Sequence, residues 1–203
     1  MLFVLLDSRE SLYQLPVLRV CGDKTGALRH LKVGEIKAGR YSTTDQSISI
    51  RPFQTRAEPM PCGLGQHPYF PCGPETQLDT RVSDAWTIDK DVLPVAKVLA
   101  DGRYDLRERK VCGQDLDNGF GGWNGEAKLT DPKWPYAVTL SSLEARFFQL
   151  YSPKEGGIFV AEPVSHANAA LNAPEADWPE LGMRVLEPGE QMRLDMRLDV
   201  VPV

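Results

Sequence analysis

Met192-Arg-Leu-Asp-Met-Arg-Leu-Asp-Val200 is the stretch on which the fold turns. Met192, Leu194, Met196, Leu198 and Val200 alternate with Arg193, Asp195, Arg197 and Asp199. This period of two predicts a strand with an apolar face toward a core and a charged face toward water. Pro188-Gly189 supplies a turn before it. A second alternation runs through Leu78, Thr80, Val82, Trp86 and Ile88, with Asp84 as its misfit. Further strands are predicted over 47–53, 136–140, 146–151 and 158–161, each bounded by Pro, Gly, Asp or Ser. No window beyond residue 50 carries a helical stripe with caps, and only Gly26 to Lys37 has the pattern of a short helix. Many short strands without helical crossovers predict an all-β, antiparallel sandwich or barrel rather than a parallel sheet.

The length of 203 residues and the composition, 42% hydrophobic and 25% charged, are those of one globular domain. With 23 basic and 28 acidic residues the net charge is −5, without a run of either sign. That excludes the footprint of a nucleic-acid or anionic-membrane binder and favours a neutral or small partner. The first 50 residues stand at +2 and contain only Pro16, whereas the rest stands at −7 with fifteen prolines. Residues 1–46 are therefore read as an atypical N-terminal segment and 47–203 as the β domain. Cys21, Cys62, Cys72 and Cys112 form no CxxC and no zinc spacing with histidine. The expectations are no metal, reduced thiols and a cytoplasmic protein, with a Cys62 to Cys72 pairing left open. The apolar start Met1 to Leu6 is short and lacks signal-peptide features, and no stretch has the length of a membrane span.

Three segments are too rich in Gly, Pro, aromatic and titratable residues to be plain strands. In Met60-Pro-Cys-Gly-Leu-Gly-Gln-His-Pro-Tyr-Phe-Pro71, the prolines hold the chain extended and present His67 beside Tyr69 and Phe70. The alternative is a turn with a hydrogen-bonded structural histidine. In Asp115-Leu-Asp-Asn-Gly-Phe-Gly-Gly-Trp-Asn-Gly125, Asp117 and Asn118 offer groups for hydroxyls, and Phe120 and Trp123 offer flat faces for a sugar ring. The glycines lack the Lys and Ser/Thr of a phosphate loop and no βαβ unit surrounds them, so the segment taken alone reads as an ordinary wide turn rather than a binding site. In Gly157-Ile-Phe-Val-Ala-Glu-Pro-Val-Ser-His-Ala-Asn-Ala-Ala-Leu-Asn172, Glu162 ends an apolar strand. An isolated carboxylate there is either functional or an edge group facing water. His166 is read as a loop histidine or substrate contact, and Asn168 and Asn172 as turn residues.

Taken in order, GLGQHPYF, LDNGFGGW, FVAEPVSHANAALN and GMRVLEPGEQMRLDMRL resemble the aldose 1-epimerase (galactose mutarotase) family over residues 47 to 203. The resemblance implies a large antiparallel β-sandwich, incomplete at its N-terminal side, and a hexose such as galactose or glucose as the small-molecule partner. It implies that His67 protonates the ring oxygen, Glu162 takes the proton of the anomeric hydroxyl, and Asp117 holds sugar hydroxyls. Tyr69, Trp123 and His166 are the further candidates for substrate contact. Ring opening moves two protons and no electrons, so neither redox cofactor nor metal is expected. The family also uses an arginine and a second histidine from its N-terminal portion, and neither has a counterpart in residues 1–46. A non-catalytic carbohydrate-binding homologue and a hexose 6-phosphate mutarotase are the alternatives.

Overall fold

The computed structural model describes residues 5–7, 17–19, 45–50, 54, 57–168 and 170–203. The strands run β1 (Leu5–Asp7), β2 (Val17–Arg19), β3 (Asp45–Ile50), β4 (Met60–Cys62), β5 (Tyr69–Pro71), β6 (Gln77–Thr80), β7 (Asp84–Ile88) and β8 (Pro94–Leu99). They continue as β9 (Arg109–Lys110), β10 (Leu116–Gly121), β11 (Glu126–Thr130), β12 (Tyr136–Ser141), β13 (Phe147–Ser152), β14 (Ile158–Val164), β15 (Arg184–Leu186) and β16 (Leu194–Pro202). Two six-stranded antiparallel sheets carry the architecture, ordered β5-β14-β13-β10-β7-β8 and β3-β16-β12-β11-β6-β9. The pairs β15-β4 and β1-β2 form two-stranded sheets. The chain is thus antiparallel β, as the alternation predicts, and of the sandwich or barrel it left open the sandwich is the one formed.

Between the sheets lies one core. The first sheet contributes Leu116, Phe120, Phe148, Leu150, Phe159 and Ala161; the second contributes Leu78, Ala127, Leu129, Leu140, Leu194 and Met196. Burying one such leucine or phenylalanine contributes about 1.5–3 kcal/mol. The charged face of β16 pairs with itself at a spacing of two, Arg193 with Asp195 and Arg197 with Asp199. Such half-exposed pairs add little to stability.

Several boundaries differ from the sequence reading. The alternation from Leu78 to Ile88 is two strands in different sheets: β6 pairs with β11, and β7 pairs with β10 and β8. Asp84, the misfit, begins the second strand, where its Oδ2 lies 3.4 Å from Lys97 Nζ. Its Oδ1 stands 2.3 Å from where a Cβ on Gly121 would be, so any larger residue at 121 would have to push the Asp84 carboxylate aside. Residues 116–121, read as part of a wide turn, are strand β10. Strand β14 runs on past Ala161 through Pro163. That proline has no N–H to donate, and the side on which its carbonyl accepts from Gln66 N–H at 3.1 Å faces the irregular 63–68 segment rather than a regular ladder. The predicted 47–53 strand is observed as Asp45–Ile50; residues 51–53, the 26–37 helix expectation and Cys21 lie outside the described residues.

The thiol expectation is corrected. Cys72 is disulfide-bonded, and its partner is Cys112, not Cys62. Cys62 is free and buried, with burial pushing its thiol up to about 11 against the nearby Arg184 charge. The partner was missed because the two cysteines are 40 residues apart, and only the docking of β5 beside β14 brings them together. Cys72 N–H donates to Gly157 O at 3.0 Å, and Gly157 N–H donates to Cys112 Sγ at 3.3 Å, so both sulfurs close over the β13–β14 turn. Among the described residues, no helix is long and apolar enough to cross a membrane.

Candidate active site

The first sheet has a second face, turned away from the core, and alternation decides what stands on it. Val160, Glu162 and Val164 of β14 point there, followed across the sheet by Phe147, Gln149 and Tyr151 of β13 and Asp117, Gly119 and Gly121 of β10. Trp86, Phe147, Val164 and Ala167 form a small apolar cluster at one end, with Leu181 of the overlying 165–183 segment packed against it. The rest of the face is polar: Tyr69, Gln149, Tyr151 and Asp117 are half-buried.

His67 reaches this face by register. Tyr69 opposes Val160 in the β5–β14 ladder, and Gly65 opposes Val164 through an isolated bridge. Residue 67, midway between them, falls opposite Glu162. The intervening chain is held at each step. Leu64 N–H donates to Ser165 Oγ at 2.9 Å, and Gln66, fully buried, sends its side-chain amide across the sandwich to Leu194 O at 3.1 Å. Pro68 and Pro71 keep the segment extended, as the sequence reading required.

The result is a direct contact: His67 Nε2 lies 3.2 Å from Glu162 Oε1, the imidazole 19% exposed and the carboxyl 3%. The Tyr69 ring flanks the imidazole, with centroids 4.8 Å apart. Burial, with the Asp117 charge second, raises the Glu162 carboxyl well above the usual carboxylate range. Burial also raises Asp117, against a side-chain hydrogen bond with Gln149. Gln149 stands directly across from Glu162, and Gly119 directly across from Gln149. Two carboxyls, an imidazole and an amide therefore share one face around an accessible imidazole.

Of the sequence candidates, His67, Tyr69, Asp117 and Glu162 come together here. Trp123 does not. It is 6% exposed in the core between the sheets, its ring tilted against Phe148, with its Nε1–H donated to Thr80 Oγ1 at 2.8 Å. Phe120 is likewise core, and Asn118 points away from the open face to bind Trp86 O at 2.8 Å. His166 is neither a surface loop residue nor an open contact: it is 1% exposed and lodged so closely on Gly63 that a Cβ there would stand 2.3 Å from its Nδ1. Its burial drives the imidazole down to about 4. Gln149 was missed; its signal was the strand alternation over 146–151, which sets residue 149 on the face opposite Phe148 and Leu150. Among the described residues, no three His, Cys, Asp or Glu side chains cluster as metal ligands.

The sequence model of the family described as aldose 1-epimerase matches residues 36–199. The chain belongs to the aldose 1-epimerase family. An uncharacterised Escherichia coli K12 protein, YphB, is 29% identical over 155 residues, covering 71% of this chain and 52% of that one. An Escherichia coli K12 crystal structure assigned provisionally as an aldose 1-epimerase superposes with a TM-score of 0.69 at 25% identity, over 79% of this chain and 57% of that chain. Galactose 1-epimerase from Lactobacillus acidophilus NCFM shares the fold, with a TM-score of 0.57 at 14% identity over 80% and 65% of the two chains. This aldose 1-epimerase homologue thus spans about half the length of the curated relative it matches. Its family match contains the whole His67, Asp117 and Glu162 face.

Proposed function

We propose that the chain interconverts the α and β anomers of a free hexose such as galactose or glucose, with Glu162 and His67 as its acid–base pair. The observation that carries the reading is the 3.2 Å contact between His67 Nε2 and Glu162 Oε1 on the open face. The two oxygens to be served, the anomeric hydroxyl and the ring oxygen, sit on one carbon, so the groups serving them must be neighbours. Glu162 takes the hydroxyl proton while His67 delivers one to the ring oxygen. The C1 to ring-oxygen bond breaks as the C1 carbonyl forms. Rotation about C1–C2 exposes the other aldehyde face, and reclosure returns both protons. Asp117 and Gln149 accept and donate to ring hydroxyls, and Tyr69 limits the imidazole's movement.

The raised Glu162 carboxyl fits this cycle. An ordinary glutamate near 4.3 holds a proton much more weakly than an imidazole near 6.5. A carboxyl raised above its ordinary value holds the anomeric proton more firmly once it has taken it. Ring opening passes one proton to Glu162 and one from His67, and closure passes both back, so a stronger base favours a reversible reaction. The pair must carry one proton, which gives a bell-shaped pH dependence of kcat/KM bounded by two pKa values belonging to the pair.

Polarimetry of freshly dissolved α-glucose or α-galactose tests the proposal. The wild-type chain should speed relaxation to the anomeric equilibrium. His67→Asn and Glu162→Gln should each lower kcat by about 10²- to 10⁴-fold. Relaxation no faster than in buffer, or unchanged in the double variant, would remove the assignment; calorimetric hexose binding without rate enhancement would replace it with a carbohydrate-binding role.

A further inference from the structure

The segment that follows β14 folds back over the open face, and one of its residues is delivered to the sugar side of the sheet. Ser165 N–H donates to Leu64 O, His166 lodges against Gly63, and Ala167 N–H donates to Leu181 O at 2.9 Å. Ala170, fully buried, donates to Ala167 O at 3.0 Å. Between these anchors Asn168 is only half-buried. Its Cγ and Nδ2 lie 3.7 and 3.8 Å from the point where a Cβ on Gly119 would stand, so its amide hangs over the one residue of that row without a side chain. Among the described residues the Asn168 amide has no hydrogen-bond partner.

The row itself gives the distance scale. Glu162 pairs with Gln149 and Gln149 with Gly119, so Asn168 overhangs a strand two spacings, about 10 Å, from the backbone of Glu162. With the anomeric carbon held at His67 and Glu162, that separation reaches past C2 to the far side of a pyranose ring. Hexose epimers differ there in whether a hydroxyl points up or down. An amide offers a donor and an acceptor, and a hydroxyl left unmatched against it is costly.

We infer that Asn168 is a specificity-determining residue of this site, whose amide reads the hydroxyl at C3 or C4 of the hexose. His166 is then a positioning residue, buried to hold the segment in place. The inference rests on the proposed hexose site. Asn168→Ala should lower kcat/KM about five- to tenfold for glucose or galactose and for 2-deoxyglucose. It should change kcat/KM less than twofold for whichever of 3-deoxyglucose and 4-deoxyglucose lacks the hydroxyl that is read. Thermal unfolding of the variant, with no buried partner lost, should match the wild type. Equal loss across the whole deoxy series, no loss on any sugar, or selective sparing of 2-deoxyglucose would overturn the assignment. If the wild type binds hexose in calorimetry without catalysing anomerisation, the catalytic reading fails and the same series read as Kd values decides Asn168. A wild type that binds no hexose overturns both.

Discussion

The two histidines of the motif-bearing segments differ in burial, and that difference separates their roles. His67 keeps part of its imidazole open beside a buried carboxyl, while His166 is 1% exposed, with Ser165 Oγ 3.4 Å from its Nδ1. A buried neutral imidazole has a consequence for stability. In the unfolded chain it titrates near 6.5; in the fold burial holds it at about 4. Its folded pKa is depressed, so below 6.5 the unfolded state binds the proton first. The contribution is complete above pH 6.5, falls as pH drops toward 4, and levels off below that, for a total of order 3 kcal/mol. Urea unfolding at intervals from pH 8 to 3.5 should show this decline in the wild type and lose it in His166→Asn; identical profiles would show that His166 does not carry it. The immediate neighbours, Gln66 and Pro68 for one histidine and Ser165 and Ala167 for the other, do not say which ring is buried. What distinguishes them is Gly63, which stands 103 positions before His166 and admits its ring.

At the scale of elements, the alternation that opened the sequence reading gives β16 directly, and the same rule finds β12 and β13 to within a residue. It fails where an element's identity depends on its neighbours. Thr80 and Trp86 continue one periodic run yet belong to opposite sheets, since the run says nothing about the crossing between Arg81 and Ser83. Pro163 argues against a strand locally, but the partner on that side is the 63–68 segment, which leaves its carbonyl paired. The disulfide is of the same kind, invisible until β5 docks. It ties the end of β5, which follows His67 and Tyr69, to the chain entering β10, which carries Asp117. Closing a 40-residue separation stabilises by about 2–4 kcal/mol, chiefly by restricting the unfolded chain. Dithiothreitol should therefore lower the Tm of the wild type and leave that of a Cys72→Ser, Cys112→Ser variant unchanged. Equal Tm values with and without reductant would show that the bond makes no contribution.

On the scale of the whole molecule, one sheet carries the His67 and Glu162 face and the other closes the core beneath it. The first sheet ends at β8, whose described neighbour is β7 alone, and this edge exposes Val95 at 67% and Leu99 at 74%, next to Val92 and Leu93 in the preceding turn. An exposed apolar edge is a surface for pairing with another chain, and Lys97 is its one charge. Concentration-dependent association should follow, and Val95→Lys with Leu99→Lys should suppress it without altering the proposed anomerisation. Light scattering that is flat with concentration in the wild type would count against this edge. Fold class, sandwich form and three of the four residues that meet at His67 were legible because they follow from periodicity and from ordered motifs. Gln149 and Asn168 were not, since a side chain's place above a sheet is set by pairings between distant segments. His67 and Glu162 meet only because the 63–68 segment is laid along β14 in one register. Replacing a residue in that segment changes the character of the site, whereas adding or removing one turns the imidazole to the opposite side of the strand and leaves proline or glutamine facing the carboxyl. Across homologues of this chain, the stretch between Gly65 and Tyr69 should therefore vary in kind and hold fixed in length.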